Sequence, residues 1–299
     1  MIPDEIRDRF NVITVWKRGG ERAPHKPLLA LYAIGRVLRG EPRMVEYSQV
    51  DRDLGKLLIE FGPHRQSYHP EYPFWRLQND DLWELDNAEG LATRRGNTDA
   101  KKSELLEHNV AGGFPPEVQQ ELSRNKRLAG EIVQDLLSAN FPETIHQDIL
   151  DAVGIDFSAG TRVLIARSPE FRERVLRAYE YSCAVCGFDV RLGTIHVALE
   201  AAHIQWHQAG GPDEESNGLA LCTMHHKLFD RGVFTLSDKL NVVVSESANG
   251  TKGFHEWVMA FHGQAIRPPQ RPNYYPGQTA VAWHVKEVFQ GPARYGSER

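Results

Sequence analysis

Two pairs of residues with the spacing of zinc ligands constrain this chain more than any other part of its sequence. In the first pair, Cys183 and Cys186 are separated by two residues and followed by Gly187, which permits the tight turn that brings two thiolates together. In the second pair, Cys222 precedes His225 by three positions, a spacing at which two helical residues share one side. Three thiolates and one imidazole fill the tetrahedral coordination of Zn²⁺. The pattern therefore predicts a structural zinc ion with no open position for substrate.

Cysteine number and composition narrow the class of protein. The chain of 299 residues has three cysteines, an odd number, so a disulfide framework would leave one thiol over and zinc binding explains them better. Its 41% hydrophobic and 25% charged residues are typical of globular domains and exclude a disordered or fibrous chain. No apolar run is long enough for a membrane helix, and the first residues lack the apolar stretch of a signal peptide. We therefore expect a cytoplasmic protein with no membrane partner.

The charge is unevenly distributed along the chain. Residues 1–102 carry a net charge of +1, residues 103–155 carry −6 and residues 156–299 carry 0, which gives the total of −5. The acidity is thus confined to one central stretch, while both ends are neutral and contain many arginine and histidine residues. Because nucleic-acid binding depends on local rather than total charge, the net value does not exclude a DNA partner.

Helix and turn signals predict an α+β protein of two domains, residues 1–155 and residues 156–299. The first domain is predicted to be a mostly helical α+β domain. Apolar periodicity and terminal glycines indicate helices over 27–38 and 51–61, and an acidic helical stretch over 103–155 closes the domain and connects it to the second.

Several shorter segments predict individual loops, strands and helices. Residues 67–77, rich in proline and aromatic side chains, are predicted to form a rigid loop that leads into a short strand, with residues 82–85 as the partner strand. In the second domain, Pro169 is expected to begin a helix that ends near Tyr179, and a hairpin is expected through residues 233–245.

The segment between and around the zinc pairs carries a recognisable motif. It reads E-A-A-H-I from Glu200, then G-P, then N-G-L-A-L-C from Asn217, then H-H-x-x-F-D, which ends at Asp230. This segment resembles the HNH, or ββα-metal, endonucleases over about 50 residues, from Cys183 to Gly232. The resemblance implies two strands and a helix built on the zinc knuckle, and hydrolysis of phosphodiester bonds in DNA.

The HNH resemblance assigns a role to each of three residues. Phosphodiester hydrolysis needs a base to activate water and a cation to neutralise developing charge. His203 is the expected general base, since the pKa of imidazole lies near neutral pH. Asn217 is expected to position the loop of the base or the substrate. His226 follows the zinc ligand His225, and because successive helical residues point about 100° apart, it is expected to face a second, catalytic metal.

The catalytic metal has an unusual set of candidate ligands. Many HNH nucleases place Asp or His immediately before the base as a metal ligand, whereas this chain has Ala202. The cation is therefore expected to bind His226, Asp230 four positions later, water and the substrate phosphate, with Glu200 as a weaker candidate. An open, oxygen-rich site favours Mg²⁺ or Mn²⁺.

The first domain is the expected source of specificity, because a bare HNH module contacts mostly phosphates. Its candidate DNA-binding residues are basic, aromatic and proline side chains: Arg22, His25, Tyr68, His69, Pro70, Tyr72, Pro73, Arg94 and Arg95. In combination they resemble the sulfur-binding domain of restriction endonucleases that cut phosphorothioate-modified DNA. That domain followed by HNH matches the order of the whole chain.

The resemblance implies how such a domain would read sulfur. His69, Pro70 and Pro73 would form a shallow cavity, with Tyr68 and Tyr72 beside it. Sulfur is larger, more polarisable and less strongly hydrated than oxygen. Moving from water to an apolar wall therefore costs sulfur less free energy than it costs oxygen.

Arginine side chains complete the implied site. Arg22 would lie near the modified phosphate, and Arg94 or Arg95 would read guanine, as arginine commonly does in the major groove.

We therefore expect a modification-dependent restriction endonuclease that binds phosphorothioate-modified double-stranded DNA and cuts nearby, leaving 5′-phosphate and 3′-hydroxyl ends. Double-strand cleavage needs two nicks, which a homodimer or two bound molecules would supply. One alternative is an HNH endonuclease that reads a modified cytosine, since tyrosines also stack on flipped bases. Another is a non-catalytic zinc-containing DNA-binding protein, which Ala202 favours and the intact His203, Asn217 and His226 oppose.

Overall fold

The computed structural model describes residues 3–13, 23–94, 99–156 and 169–294. The chain folds as two compact units, Met1–Val163 and Leu164–Arg299, and both contain helices and strands, which confirms the predicted fold class. The predicted division after residue 155 adjoins an undescribed stretch and stays a prediction. Within the described ranges, every helix is too short or too polar to cross a membrane.

The first unit is mostly helical. Its helices and strands follow in the order α1 Pro3–Asn11, α2 His25–Leu38, β1 Val45–Glu46, α3 Tyr47–Phe61, α4 Glu71–Arg76, β2 Glu84–Asp86, α5 Lys102–Glu107, β3 Ala111–Gly113, α6 Pro116–Arg124, α7 Lys126–Asn140 and α8 His146–Val153. The predicted helices over 27–38 and 51–61 are confirmed, with earlier first residues, and the acidic stretch is mostly helical, with β3 and short breaks between its helices.

Helix α2 forms the centre of this unit. Its residues from Pro27 to Val37 are buried all round, as expected of a helix that is apolar on every side. It packs against α3, α4, α6 and α7. Beside these helices the three short strands form an antiparallel sheet in the order β1-β3-β2. Gly112 at the centre of β3 lies against the Trp83 ring, where a Cβ atom would not fit.

The predicted loop and strand over residues 67–77 are wrong. Residues Glu71–Arg76 form α4, and a 3₁₀ turn follows over Leu77–Asp80. Pro70 lies at the N-cap and Pro73 in the first turn, where backbone N–H groups have no partner within the helix, so proline costs little there. The strand predicted at residues 82–85 exists as β2, but it pairs with β3 instead.

The second unit has a ββα arrangement at its centre. Its elements are α9 Pro169–Ala178, β4 Arg191–Leu192, β5 Ile195–His196, β6 Leu199–His203, β7 Gly218–Cys222, α10 Thr223–Asp230, β8 Phe234–Leu236, β9 Val242–Val244, α11 Lys252–Trp257 and α12 Gln278–Glu287. The predicted helix from Pro169 and the predicted hairpin, formed by β8 and β9, are confirmed.

Strands β6 and β7 place the candidate site. They pair antiparallel, with His203 opposite Gly218 at one end and Leu199 opposite Cys222 at the other. Helix α10 begins immediately after Cys222, and both α9 and α10 pack against the two strands. The hairpin therefore holds the candidate base at one end and a zinc-type ligand at the other.

Candidate functional site

The four predicted zinc ligands lie together in the second unit. The ligand atoms of Cys183, Cys186, Cys222 and His225 are all within 4.8 Å of one another. The Nδ1 atom of His225 is 3.7 Å from Sγ of Cys183 and 3.2 Å from Sγ of Cys222. The Sγ atoms of Cys186 and Cys222 are 4.0 Å apart. Bonds of about 2.3 Å to sulfur and 2.0 Å to nitrogen give tetrahedral edges of about 3.5–3.8 Å. The donor set therefore fits one tetrahedral metal ion.

Hydrogen bonds within and around this cluster affect the charge of its thiols and the orientation of His225. Hydrogen bonds with Cys186 and Cys222 lower the pKa of the Cys183 thiol, and hydrogen bonds with Cys183 and Cys186 raise the pKa of the Cys222 thiol, so Cys183 is the first of the two to become a thiolate. The Nε2 atom of His225 is 2.9 Å from the carbonyl oxygen of Trp257. That contact puts the proton on Nε2 and turns Nδ1 toward the cysteines, as an outer hydrogen bond does for a metal-binding histidine.

His203, the candidate base, is held on two sides at the end of β6. Its ring stacks on that of Phe171 in α9, with the centroids 3.9 Å apart and the planes 14° from parallel. Its Nε2 atom is 2.8 Å from Oδ1 of Asp213. The side chain is 19% exposed, so the ring borders solvent.

Asn217 holds the loop between β6 and β7. Its side chain is buried and accepts a hydrogen bond from the backbone N–H of Gln205 at 2.8 Å. Its amide nitrogen donates to the carbonyl oxygens of Gln205 and Pro212, both at 3.0 Å. These contacts accord with a residue that positions the loop of the base.

His226 lies between two carboxylates. Its Nδ1 atom is 2.6 Å from Oε2 of Glu200, and its Nε2 atom is 3.2 Å from Oδ2 of Asp230. The His226 and Asp230 side chains are 3% and 2% exposed, whereas that of Glu200 is 33% exposed. Among the described residues, one group of three or more His, Cys, Asp or Glu side chains is arranged to hold a metal ion, and it is the cluster of Cys183, Cys186, Cys222 and His225. Glu200 and Asp230 instead flank opposite edges of one imidazole.

In the first unit, α4 and the segment before it form a cluster of ionic and aromatic contacts. Oε1 of the buried Glu71 is 3.0 Å from Nδ1 of His69 and accepts a hydrogen bond from Arg94 at 2.8 Å. Arg94 also donates to the Tyr72 hydroxyl at 2.6 Å. The Tyr72 ring contacts the guanidinium groups of Arg94 and Arg76, each 4.7 Å from its centroid. We call Glu71, His69, Tyr72, Arg94 and Arg76 the reader cluster.

The remaining predicted DNA-binding residues have different environments. Pro70 and Pro73 are buried, and Pro70 lies next to Gly55 of α3. Tyr68 is half-buried, and its hydroxyl is 3.4 Å from the backbone nitrogen of Arg65.

Three further candidates complete the predicted set. His25 is half-buried at the first position of α2, a helix that packs against α4. Arg22 and Arg95 lie outside the described residues.

Sequence reasoning missed two carboxylates that contact His203 and His69 in the folded protein. Asp213 contacts His203 from ten positions away, and Glu71 joins His69 to the distant Arg94. Neither carboxylate has a periodic spacing to its partner, so the pattern of residue types gave no signal for either contact.

Family comparisons match both units. A model of the family described as "ScoMcrA-like, DNA sulfur-binding domain" matches residues 3–158, and a model described as "HNH endonuclease" matches residues 183–237. An HNH endonuclease domain that follows a DNA sulfur-binding domain defines a modification-dependent restriction endonuclease. The chain belongs to the ScoMcrA-like DNA sulfur-binding domain family, since that match spans more than half of its length. A search of curated proteins found no match.

Several solved structures resemble parts of the chain. The sulfur binding domain of ScoMcrA complexed with phosphorothioated DNA is 23% identical, with a TM-score of 0.45, and covers 50% of this chain and 94% of its own. The corresponding SprMcrA domain complex is 22% identical, with a TM-score of 0.46, over 52% and 95%. The type IV phosphorothioation-dependent restriction endonuclease ScoMcrA is 22% identical, with a TM-score of 0.43, over 50% of this chain and 32% of its own.

Proposed function

We propose that this protein binds phosphorothioate-modified double-stranded DNA through the reader cluster and hydrolyses a nearby phosphodiester bond at His203. The observation that carries the proposal is the pairing, in one chain, of a sulfur-binding family match with a carboxylate-bound histidine at the end of an HNH strand. The first unit supplies recognition and the second supplies chemistry.

The reader cluster offers groups suited to a sulfur-containing phosphate. The rings of His69 and Tyr72 stack with their centroids 4.9 Å apart and form a partly exposed apolar surface beside cationic Arg94. A polarisable, weakly hydrated sulfur loses less than oxygen on leaving water for such a surface, while the guanidinium group pairs with the phosphate charge. Tyr68, Arg22 and either Arg94 or Arg95 remain the proposed contacts around it.

His203 is proposed to act as the general base. A water molecule loses a proton to the imidazole, its oxygen forms a bond to phosphorus, the P–O3′ bond breaks, and the leaving O3′ takes a proton from solvent. The products are 5′-phosphate and 3′-hydroxyl ends. Asn217 holds the loop that borders the base, so its proposed contribution is to position rather than to react.

An HNH nuclease implies a divalent metal ion, which we propose is Mg²⁺ or Mn²⁺ beside His226. When bound, such an ion neutralises developing charge on the phosphate. Glu200, at one edge of His226, is 33% exposed, whereas Asp230, at the other edge, is 2% exposed. The exposures therefore favour Glu200 as the carboxylate ligand and Asp230 as the group that orients the ring. Titration calorimetry with Mn²⁺ tests this: Glu200→Gln should weaken binding more than Asp230→Asn.

The other cofactor and assembly assignments complete the proposal. We propose Zn²⁺ as the ion of the Cys183, Cys186, Cys222 and His225 cluster, because the site is closed and rich in thiolates. Dimerisation for double-strand cleavage and a cytoplasmic location remain predictions.

A binding assay tests the sulfur-reading function. The cleavage-deficient His203→Ala protein is titrated by gel shift against two duplexes of identical sequence, one with a single R_p phosphorothioate and one without. Preferential binding to the sulfur duplex is the expected result. Equal binding would refute sulfur reading while leaving the nuclease assignment intact, and duplexes with modified cytosine would be tested next.

A further inference from the structure

Asp213 contacts the candidate base although the HNH motif assigned no role to it. Its Oδ1 atom is 2.8 Å from Nε2 of His203, ten positions earlier in the chain. The Asp213 side chain is 36% exposed, so burial does not force it against the ring. An exposed aspartate gains little from a single ion pair, so its position requires a backbone that holds it there.

The loop before Asp213 is closed by hydrogen bonds. Asn217 bonds to the backbone of Gln205 at the start of the loop and to the carbonyl of Pro212, the residue before Asp213. Gly211 passes so close to the Gln205 carbonyl that a Cβ atom at this position would overlap it. One buried amide and one close backbone approach therefore fix the path of the chain up to Asp213.

A second element holds Asp213 itself. Arg174 of α9 donates a hydrogen bond to the backbone carbonyl of Asp213 and lies 3.5 Å from the carboxylate of Glu215. The same helix contributes Phe171, whose ring stacks on His203. Helix α9 thus supports both partners of the Asp213–His203 contact.

The environment of His203 restricts its ring to one orientation. Phe171 fixes the plane of the ring, and Asp213 fixes the direction of Nε2. His207 is a second titratable side chain facing His203, with ring centroids 5.9 Å apart in an edge-to-face arrangement. Of these neighbours, Asp213 alone carries a negative charge that stabilises a protonated imidazole.

We infer that Asp213 is a positioning residue of the nuclease, which holds the Nε2–H tautomer of His203 so that Nδ1 accepts the proton from water. Its carboxylate also stabilises the imidazolium that forms, as the aspartate does in other carboxylate–histidine pairs. The inference rests on the proposed role of His203 as general base. Asp213 itself touches neither water nor phosphate in this role.

The test compares Asp213→Asn, Asp213→Glu and Glu214→Gln in the full-length protein. Glu214 is the exposed neighbouring acid, and its variant controls for loss of charge in the same loop. Single-turnover cleavage is measured on a phosphorothioate duplex and on plasmid DNA, over a range of pH and Mg²⁺ concentration. Isotope-edited NMR of the His203 ring nitrogens, in zinc-bound protein without added Mg²⁺ or Mn²⁺, reports the tautomer without requiring activity.

We expect Asp213→Asn to lower the cleavage rate roughly 10- to 1,000-fold, with DNA affinity and the half-saturating Mg²⁺ concentration unchanged. Loss of the carboxylate removes the negative charge that favours the protonated imidazole, so the acid limb of the rate profile should move to lower pH. The ring proton should no longer reside mainly on Nε2. Asp213→Glu should recover part of the rate, and Glu214→Gln should cut normally.

Three results would overturn the inference. Wild-type cleavage by Asp213→Asn would show that the contact is not used, and a raised Mg²⁺ requirement would make Asp213 a metal ligand. Loss of folded structure in Asp213→Asn, seen by circular dichroism, would make its role structural. A His203→Ala protein that still cuts normally would instead refute the proposed base, which separates the two failures.

Discussion

Both candidate sites contain a histidine bound to a carboxylate, but the two carboxylates differ in burial. In the first unit, the Glu71 side chain is 2% exposed, its Oε1 atom contacts both His69 and Arg94, and its Oε2 atom is buried with no hydrogen-bond partner among the described residues. In the second unit, the Asp213 side chain is 36% exposed and is held against His203 by its loop.

The difference matches the task of each site. A buried carboxylate shared by two basic side chains holds them in one geometry, since releasing either one leaves buried charge uncompensated. That suits Glu71 in a binding surface that keeps its shape. An exposed carboxylate stabilises a positive charge on its partner and still lets that charge form and disappear, which suits Asp213 beside the proposed general base.

The two units also differ in what stabilises them. Helix α2 gives the first unit a buried apolar centre, and the second unit combines an apolar core of its own with a Cys₃His cluster. A structural zinc ion contributes folding free energy on the order of 10 kcal/mol. We expect Cys222→Ser to abolish the thermal transition of the second unit and preserve that of the first.

Calorimetry and bound-zinc analysis check that prediction. Met224→Ala is the matched control, because Met224 is exposed and lies on α10, the helix that begins immediately after Cys222. This variant should keep its zinc and both thermal transitions. Simultaneous loss of both transitions would show that the units do not fold independently.

Removal of the base should separate chemistry from recognition. We expect His203→Ala to lower the cleavage rate about 10²- to 10⁴-fold, because general base catalysis is lost, while DNA affinity is retained. Single-turnover cleavage and gel shift measure the two properties, with His255→Ala as an exposed control in the same unit. A parallel loss of affinity would mean that the second unit also supplies recognition.

Neutralising Glu71 should weaken the binding surface. The Glu71→Gln variant keeps the size of the side chain but removes the charge that holds His69 and Arg94, so we expect a loss of about 1–3 kcal/mol in DNA binding. The cleavage rate of bound DNA should not change. Fluorescence anisotropy measures the affinity, and Glu117→Gln on the exposed face of α6 is the control. Wild-type affinity in Glu71→Gln would show that the charge of Glu71 does not contribute to DNA binding.

Mild acid should destabilise the second unit by a smaller amount. Burial, with Arg294 nearby, lowers the pKa of His262, whose Nδ1 accepts a hydrogen bond from the Val244 backbone N–H. A histidine whose pKa is lower in the folded state stabilises the fold above its unfolded pKa of about 6.5, and this contribution is lost as pH falls through the folded value.

The melting temperature of the second unit should therefore decline below about pH 6.5, and His262→Gln should reduce that decline. Differential scanning calorimetry from pH 8 to pH 5 checks the prediction. An unchanged decline in the variant would assign the pH dependence to other groups.

The sequence by itself determined the Cys₃His cluster, the HNH motif and the ββα arrangement, because each depends on short, regular spacings. Cys222 and His225 lie one helical turn apart, and alternation along β6 and β7 follows from their apolar runs. Such local patterns constrain backbone geometry directly. Helices α2 and α3 were predictable for the same reason.

Only the tertiary structure decided how the two sites are assembled. The contacts of Asp213 with His203 and of Glu71 with Arg94 join residues that are distant in the chain. Their positions depend on Asn217, Arg174 and the packing of α4. Prolines at the start of residues 67–77 suggested a loop, yet the same prolines fit the first turn of a helix that packs on α2 and α3. Long-range packing chose between two conformations that local preference allowed, and it thereby placed Glu71 in the interior.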